Sequence, residues 1–160
     1  MLLVSPGYSG IEFTDPYVLE QTAAMVKAAA DRDAAAFVEA FLRAWVDGPR
    51  RLPADVDPAV RARCREMAMT AASRGLGRTG TLREVGAADR LDELSMPVDV
   101  VVGDLDSADI TAAGERIVTA ARDSRVDTIV AATHVLNLDQ PEAFGVVLRK
   151  FVNVRAARRN

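Results

Sequence analysis

The sequence predicts an α/β fold: a three-stranded parallel sheet with flanking helices and a helical insertion within it. Three observations carry this. Two β-branched runs, Val98–Val102 and Val126–Ala132, are separated by a stretch of helical period, the pattern of a parallel βαβ unit. A third apolar run, Leu2-Leu3-Val4-Ser5, stands at the start and is stopped by Pro6-Gly7. Between the first run and the other two, residues 15–95 read as helical pieces.

The elements follow in order. Leu2 to Ser5 is apolar almost throughout, which fits a strand buried on both faces. Asp15-Pro16 is an N-cap followed by a good first helical residue, and Val18, Leu19, Thr22, Met25, Val26 and Ala29 share one face. Asp33 caps a second helix, with Phe37, Phe41, Ala44 and Trp45 recurring at three and four; Asp47-Gly48-Pro49 ends it. Asp57-Pro58 repeats the start signature, and Val60, Cys64, Met67 and Ala71 form the expected buried stripe of a third helix. Gly75, Gly77 and Gly80 punctuate a loop, and a short helical segment holds Leu91 and Leu94. Val98 to Gly103 is a strand, and Ile110, Ala113, Ile117, Val118 and Ala121 form a helix face. Val126 to Ala132 is the last strand. Gln140-Pro141-Glu142 opens a final helix with Phe144, Val147, Leu148 and Phe151 on one side.

Composition narrows the function classes. The chain has 160 residues, 49% hydrophobic and 27% charged, an ordinary balance for one folded domain. A net charge of −3 and 5% aromatic content argue against nucleic-acid binding, which needs a concentrated positive field or stacking platforms. The basic residues Arg149, Lys150, Arg155, Arg158 and Arg159 read as a solvated helix end. One cysteine and one histidine cannot make a disulfide or an ordinary zinc site, so no metal is expected. Cys64 lies in an apolar stripe beside Arg61, Arg63 and Arg65; the spacing reads as a buried structural thiol. Met25, Met67, Met69 and Trp45 fit either a core or an apolar pocket. No signal peptide or membrane-spanning stretch is apparent, and a soluble cytoplasmic protein is the expectation.

Two strand ends carry the chemistry. Gly103-Asp104-Leu105-Asp106 follows one strand, and Thr133-His134, with the only histidine, follows the other. Loops beyond the carboxyl ends of parallel strands are where such sheets build their sites. Asp104 competes with Asp106 as the acid, Asp106-Ser107 could simply cap the next helix, and Asp109 reads as a first-turn residue.

Taken in order, these segments resemble the C-terminal half of the α/β-hydrolase family, from its sixth strand onward. Leu94-Ser95-Met96-Pro97-Val98 resembles the lead-in to the seventh strand, and Gly103-Asp104-Leu105-Asp106 the Gly-x-x-Asp acid motif. The segment from Thr133-His134 to Asp139-Gln140-Pro141-Glu142-Ala143-Phe144 resembles the His loop and last-helix start of the lactonase and esterase-like branch. The resemblance implies a partial α/β-hydrolase core over residues 1–14 and 96–160, a helical cap or lid over residues 15–95, Asp106 as triad acid and His134 as triad base. It implies hydrolysis of an ester, lactone or similar bond in a small apolar substrate, without a cofactor.

The departure is equally plain. The Gly-x-Ser-x-Gly nucleophile elbow occurs nowhere in the 160 residues, and the glycine spacing around Ser9 in Ser5-Pro6-Gly7-Tyr8-Ser9-Gly10 does not match it. The chain is therefore not expected to be self-sufficient in catalysis. The alternative is a non-catalytic truncated scaffold that binds an apolar ligand or a partner chain. Either way the opening strand would expose an unpaired edge, so a homo-oligomer or a complex with an N-terminal partner chain is expected.

Overall fold

Three strands pair in parallel in the order β1-β2-β3 in the computed structural model, which describes residues 1–75 and 83–157, with side chains to residue 154. They are β1 (Leu2–Val4), β2 (Val98–Gly103) and β3 (Ser124–Ile129). Leu2 lies opposite Asp99, and Val98 to Gly103 run opposite Ser124 to Ile129. The chain divides into two compact units, one of Met1–Ile11 with Val85–Asn160, the other Glu12–Glu84. The glycines Gly77 and Gly80 and the arginines Arg158 and Arg159 lie outside the described residues, as does the side chain of Arg155.

In the sheet unit, β2 is central and buried at every position. Four valines there, Val98, Val100, Val101 and Val102, are essentially inaccessible, and burying each contributes about 2 kcal/mol. Helix α4 (Ala108–Ala120) connects β2 to β3 and packs on one face of the sheet. Gly114 makes that approach possible: an added Cβ would sit 3.0 Å from Val100 Cγ1. The period of two puts Val101 and Ile129 on the opposite face, where they join Ala132 and Leu136 in a core covered by Leu2, Phe144 and Val147. Phe144 and Val147 come from α6 (Pro141–Ala157), which follows the short α5 (Leu136–Asp139). The same face carries a ladder of charge. Arg125 lies 3.0 Å from the buried Asp99 and 3.8 Å from Asp127, and Lys150 lies 3.5 Å from Asp127.

Two strand expectations need correction. β1 is an edge strand with Leu2 and Leu3 half-buried and Val4 exposed, not a strand buried on both faces. β3 begins at Ser124 and ends at Ile129, so Val130 to Ala132 form a turn. An edge strand needs only one apolar face, and Ser124, Arg125, Asp127 and Thr128 are tolerated in it. Val130, expected within the strand, is 73% exposed.

The second unit is helical. Asp15 caps α1 (Pro16–Ala30) by accepting from Tyr17 N, and Asp33 caps α2 (Ala34–Leu42) by accepting from Ala36 N. A π-helical turn, Arg43–Asp47, ends α2 at Gly48, whose φ of 75° suits glycine. Asp57 Oδ1 accepts from Ala59 N at the start of α3 (Pro58–Gly75). Phe13 meets Trp45 edge-on at 5.9 Å.

The buried faces differ in phase from the sequence reading. On α1, Val18 and Ala28 are buried while Leu19 and Val26 are exposed. On α2, Val38 and Leu42 are the deepest residues, and Phe37, Phe41 and Trp45 are half-buried. On α3 the inner stripe is Cys64, Ala68 and Ala72, whereas Met67 and Ala71 face solvent. Ion pairs set that rotation. Arg61 bonds Asp47 at 2.9 Å and Glu39 at 2.7 Å, and Arg65 bonds Glu39 at 2.5 Å. The Asp47 hydrogen bond, helped by Glu39, holds the Arg61 guanidinium above its ordinary range against the effect of burial. Burial pushes the Glu39 carboxyl up, but the bonds from Arg61 and Arg65 outweigh it and leave it below 4.5.

Candidate active site

The loop after β2 is built by backbone bonds. Asp104 N donates to Ile129 O at 3.1 Å, Leu105 N to Ala132 O at 2.9 Å, and Asp106 N to Gly103 O at 3.3 Å. This loop lies directly against the one after β3, and Gly103 is the reason it can. A Cβ there would overlap the Ala132 carbonyl and lie 2.7 Å from that of Thr133. Ser107 caps α4 through its hydroxyl, which accepts from Asp109 N, and Asp109 stands in the first turn.

Asp106 ends up 2% exposed. Its Oδ1 accepts from Ser107 N at 2.8 Å, and its Oδ2 lies 3.0 Å from His134 Nδ1. A carboxylate accepts, so the neutral imidazole making this contact carries its proton on Nδ1. The His134 side chain is 30% exposed, half in and half out of the protein. An imidazole oriented by a buried carboxylate and open on one side can take up and release a proton. Asp104, the competing acid, ties the two loops together: its Oδ1 accepts from Ala132 N at 3.4 Å.

The His134 loop is held by side chains. Ala131 has a φ of 58°, a left-handed conformation that costs a residue with a Cβ about 1–2 kcal/mol. Gln140 Nε2 donates to Ala131 O at 3.2 Å. Asp139 Oδ2 accepts from both the N–H and the hydroxyl of Thr133, each at 2.8 Å. Thr133 itself is wholly buried. Thr133 and Asp139 are the loop-holding residues that the sequence did not single out. The only trace in the sequence was a hydroxyl and a carboxylate six residues apart, which no local pattern marks as partners.

The serines of the first loop take no part in that contact. Ser9 Oγ accepts from Val85 N at 3.3 Å and its carbonyl from Ala88 N, which fastens the loop within this unit. Ser5 is buried at a φ of 42°; its N–H bonds Val101 O, and its hydroxyl has no partner among the described residues. In the helical unit Cys64 is buried, and Arg61 and Arg65 beside it are engaged by Glu39 and Asp47. An open cavity of about 610 Å³ is lined by Pro53, Val56, Pro58, Arg61, Arg65 and Met69, among others. No group of side chains suited to hold a metal ion occurs among the described residues, and no helix among them is long and apolar enough to cross a membrane.

No protein-family model matches the sequence, and no curated protein sequence does. Solved structures do match. The chain is similar to an esterase from Thermogutta terrifontis with a TM-score of 0.69 and 17% identity, over 95% of this chain and 54% of that one. It is similar to Est816, an N-acyl homoserine lactone degrading enzyme, with a TM-score of 0.64 and 19% identity, over 94% and 56%. MenH from S. aureus gives 0.61 and 16%, over 95% and 57%. The chain thus spans little more than half the length of these structures. The layered parallel sheet, its strand order and these likenesses lead to one conclusion: the chain carries a partial α/β-hydrolase fold.

Proposed function

We propose that this chain is the acid–base part of an α/β-hydrolase that cleaves an ester, lactone or similar bond in a small apolar substrate. The observation that carries the reading is the contact between buried Asp106 and half-exposed His134 at the ends of neighbouring strands. In this role His134 Nε2 removes the proton of an attacking hydroxyl and returns it to the leaving group. Asp106 fixes the tautomer and stabilises the imidazolium as it forms. The hydroxyl itself, and the donors that stabilise the oxyanion, come from residues beyond these 160 or from another chain. In this reading the helical insertion, residues 15–95, is the part that selects the substrate.

The outer edge of β1 belongs to the same proposal. Among the described residues β1 pairs only with β2, and Val4 is exposed beside the open edge. A further strand, from an N-terminal portion, a partner or a second copy, covers it. Light scattering of the 160-residue protein at micromolar concentration is expected to show a species larger than one chain. A monodisperse monomer contradicts coverage by a second copy.

The test of function uses the 160 residues joined to whatever the genome encodes immediately upstream in frame. Hydrolysis of a short-chain aryl ester by the extended protein is expected to fall about a million-fold in His134→Ala. Hydrolysis that survives His134→Ala, or an upstream segment without a nucleophile in a protein that shows no activity, overturns the reading in favour of a binding scaffold.

A further inference from the structure

Thr133 is gripped from both sides. On one side, Ala132 N donates to Asp104 Oδ1 and Ala132 O accepts from Leu105 N, so the peptide before Thr133 is fixed to the acid loop. On the other, Asp139 Oδ2 receives both the N–H and the hydroxyl of Thr133. Asp139 in turn is fixed in α5, where its own N–H donates to Val135 O at 3.0 Å. The chain from Thr133 to Asp139 is therefore a closed ring of seven residues, and His134 is its second member. Just ahead of the ring, Ala131 is in an unfavourable left-handed conformation that the surrounding bonds must maintain.

We propose that Asp139 is a positioning residue for His134: its carboxylate, by clamping the buried Thr133, sets the backbone from which the imidazole reaches Asp106. The proposal rests on the reading of His134 as the base, but it concerns geometry and is tested without turnover. Without the carboxylate, the Thr133 N–H and hydroxyl lose these two bonds in a place that solvent does not reach, and that loss favours a shift of the turn. That movement carries the His134 backbone with it. The alternative is that Asp139 only stabilises the four-residue α5. Such a role changes stability and leaves the imidazole where it is.

The single histidine makes the two roles separable. In protein labelled with ¹⁵N at the imidazole, the two ring nitrogens report which carries the proton, well above the ordinary imidazole range. The wild type is expected to be mainly protonated on Nδ1. Asp139→Ala is expected to move at least about half of that population to Nε2, the form preferred by an unrestrained imidazole. Asp139→Asn keeps an oxygen for both Thr133 bonds and is expected to restore the wild-type spectrum, which excludes a simple charge effect. Thr133→Val removes one bond of the clamp at nearly constant volume and is expected to shift a smaller share; it serves should Asp139→Ala not fold. A wild-type tautomer ratio in folded Asp139→Ala, or in Thr133→Val if the alanine variant is unfolded, overturns the proposal. Hydrolysis that proves independent of His134 would instead strike the functional reading and leave this result standing.

Discussion

Asp47 and Asp106 are both buried aspartates, and their company differs. Asp47, wholly inaccessible, faces guanidinium groups: Arg61 at 2.9 Å and 3.1 Å, and Arg43 at 3.4 Å. Arginine stays charged at any pH the fold survives, so these partners have no proton to trade. Asp106 faces one imidazole, and that imidazole reaches solvent. One arrangement locks a helical unit together. The other leaves a group able to change its charge. Burial of an acid alone does not mark a site; the partner's chemistry and exposure do.

The comparison breaks most visibly in catalysis. In a hydrolytically competent extended protein, Asp106→Asn is expected to lower kcat/KM about 10,000-fold, because an amide can hold the wrong tautomer in place. Asp47→Asn in the same protein is expected to change it by less than about threefold. Comparable losses in ester hydrolysis from both would erase the distinction. In stability the order reverses. Asp47→Ala leaves Arg61 and Arg43 without their buried partner and is expected to cost about 3–5 kcal/mol in urea unfolding, with the imidazole spectrum of the folded fraction unchanged.

Gly103→Ala probes what the site borrows from backbone alone. The added methyl must displace the Ala132 and Thr133 carbonyls, at about 1–3 kcal/mol, and the Asp106–His134 contact is expected to be lost with it. A crystal structure of that variant with the 3.0 Å contact intact would contradict the role given to Gly103. The smallest effect concerns acid. The Glu39 carboxyl is below 4.5 in the folded protein, so it contributes stability above that value, and the contribution is lost as pH falls through its lowered folded value. Glu39→Gln is expected to shallow the acid limb of a stability–pH curve slightly, since Glu39 is partly exposed to solvent. An unchanged limb would show that the arginines gain nothing from its charge.

Much of this was legible in the residues. Asp15, Asp33 and Asp57 announce three helix starts because a cap is a local device, complete within four residues. β2 was legible for another reason: a strand buried on both faces must be apolar throughout, and Val98 to Gly103 nearly is. The end of β3 was not, because Val130-Ala131-Ala132 has strand composition and only contacts with Gly103 and Leu105 bend it into a turn. The phase of α3 escaped for a similar cause. Arg61 and Arg65 look like surface residues until Glu39, more than 20 positions away in sequence, draws them inward. At the candidate site the meeting of Asp106 and His134 was readable from the strand ends, whereas the bonds from Thr133 to Asp139 were not, because no local pattern announces a carboxylate six residues beyond a buried hydroxyl.

The most direct measurement is the proton position on the sole imidazole, read by ¹⁵N spectroscopy in the wild type and in Asp106→Asn. A proton held on Nδ1 in the first and displaced in the second is the predicted result. Identical spectra with the proton on Nε2 would mean that no carboxylate holds the ring, and the acid–base pairing at the centre of the proposed function would be wrong.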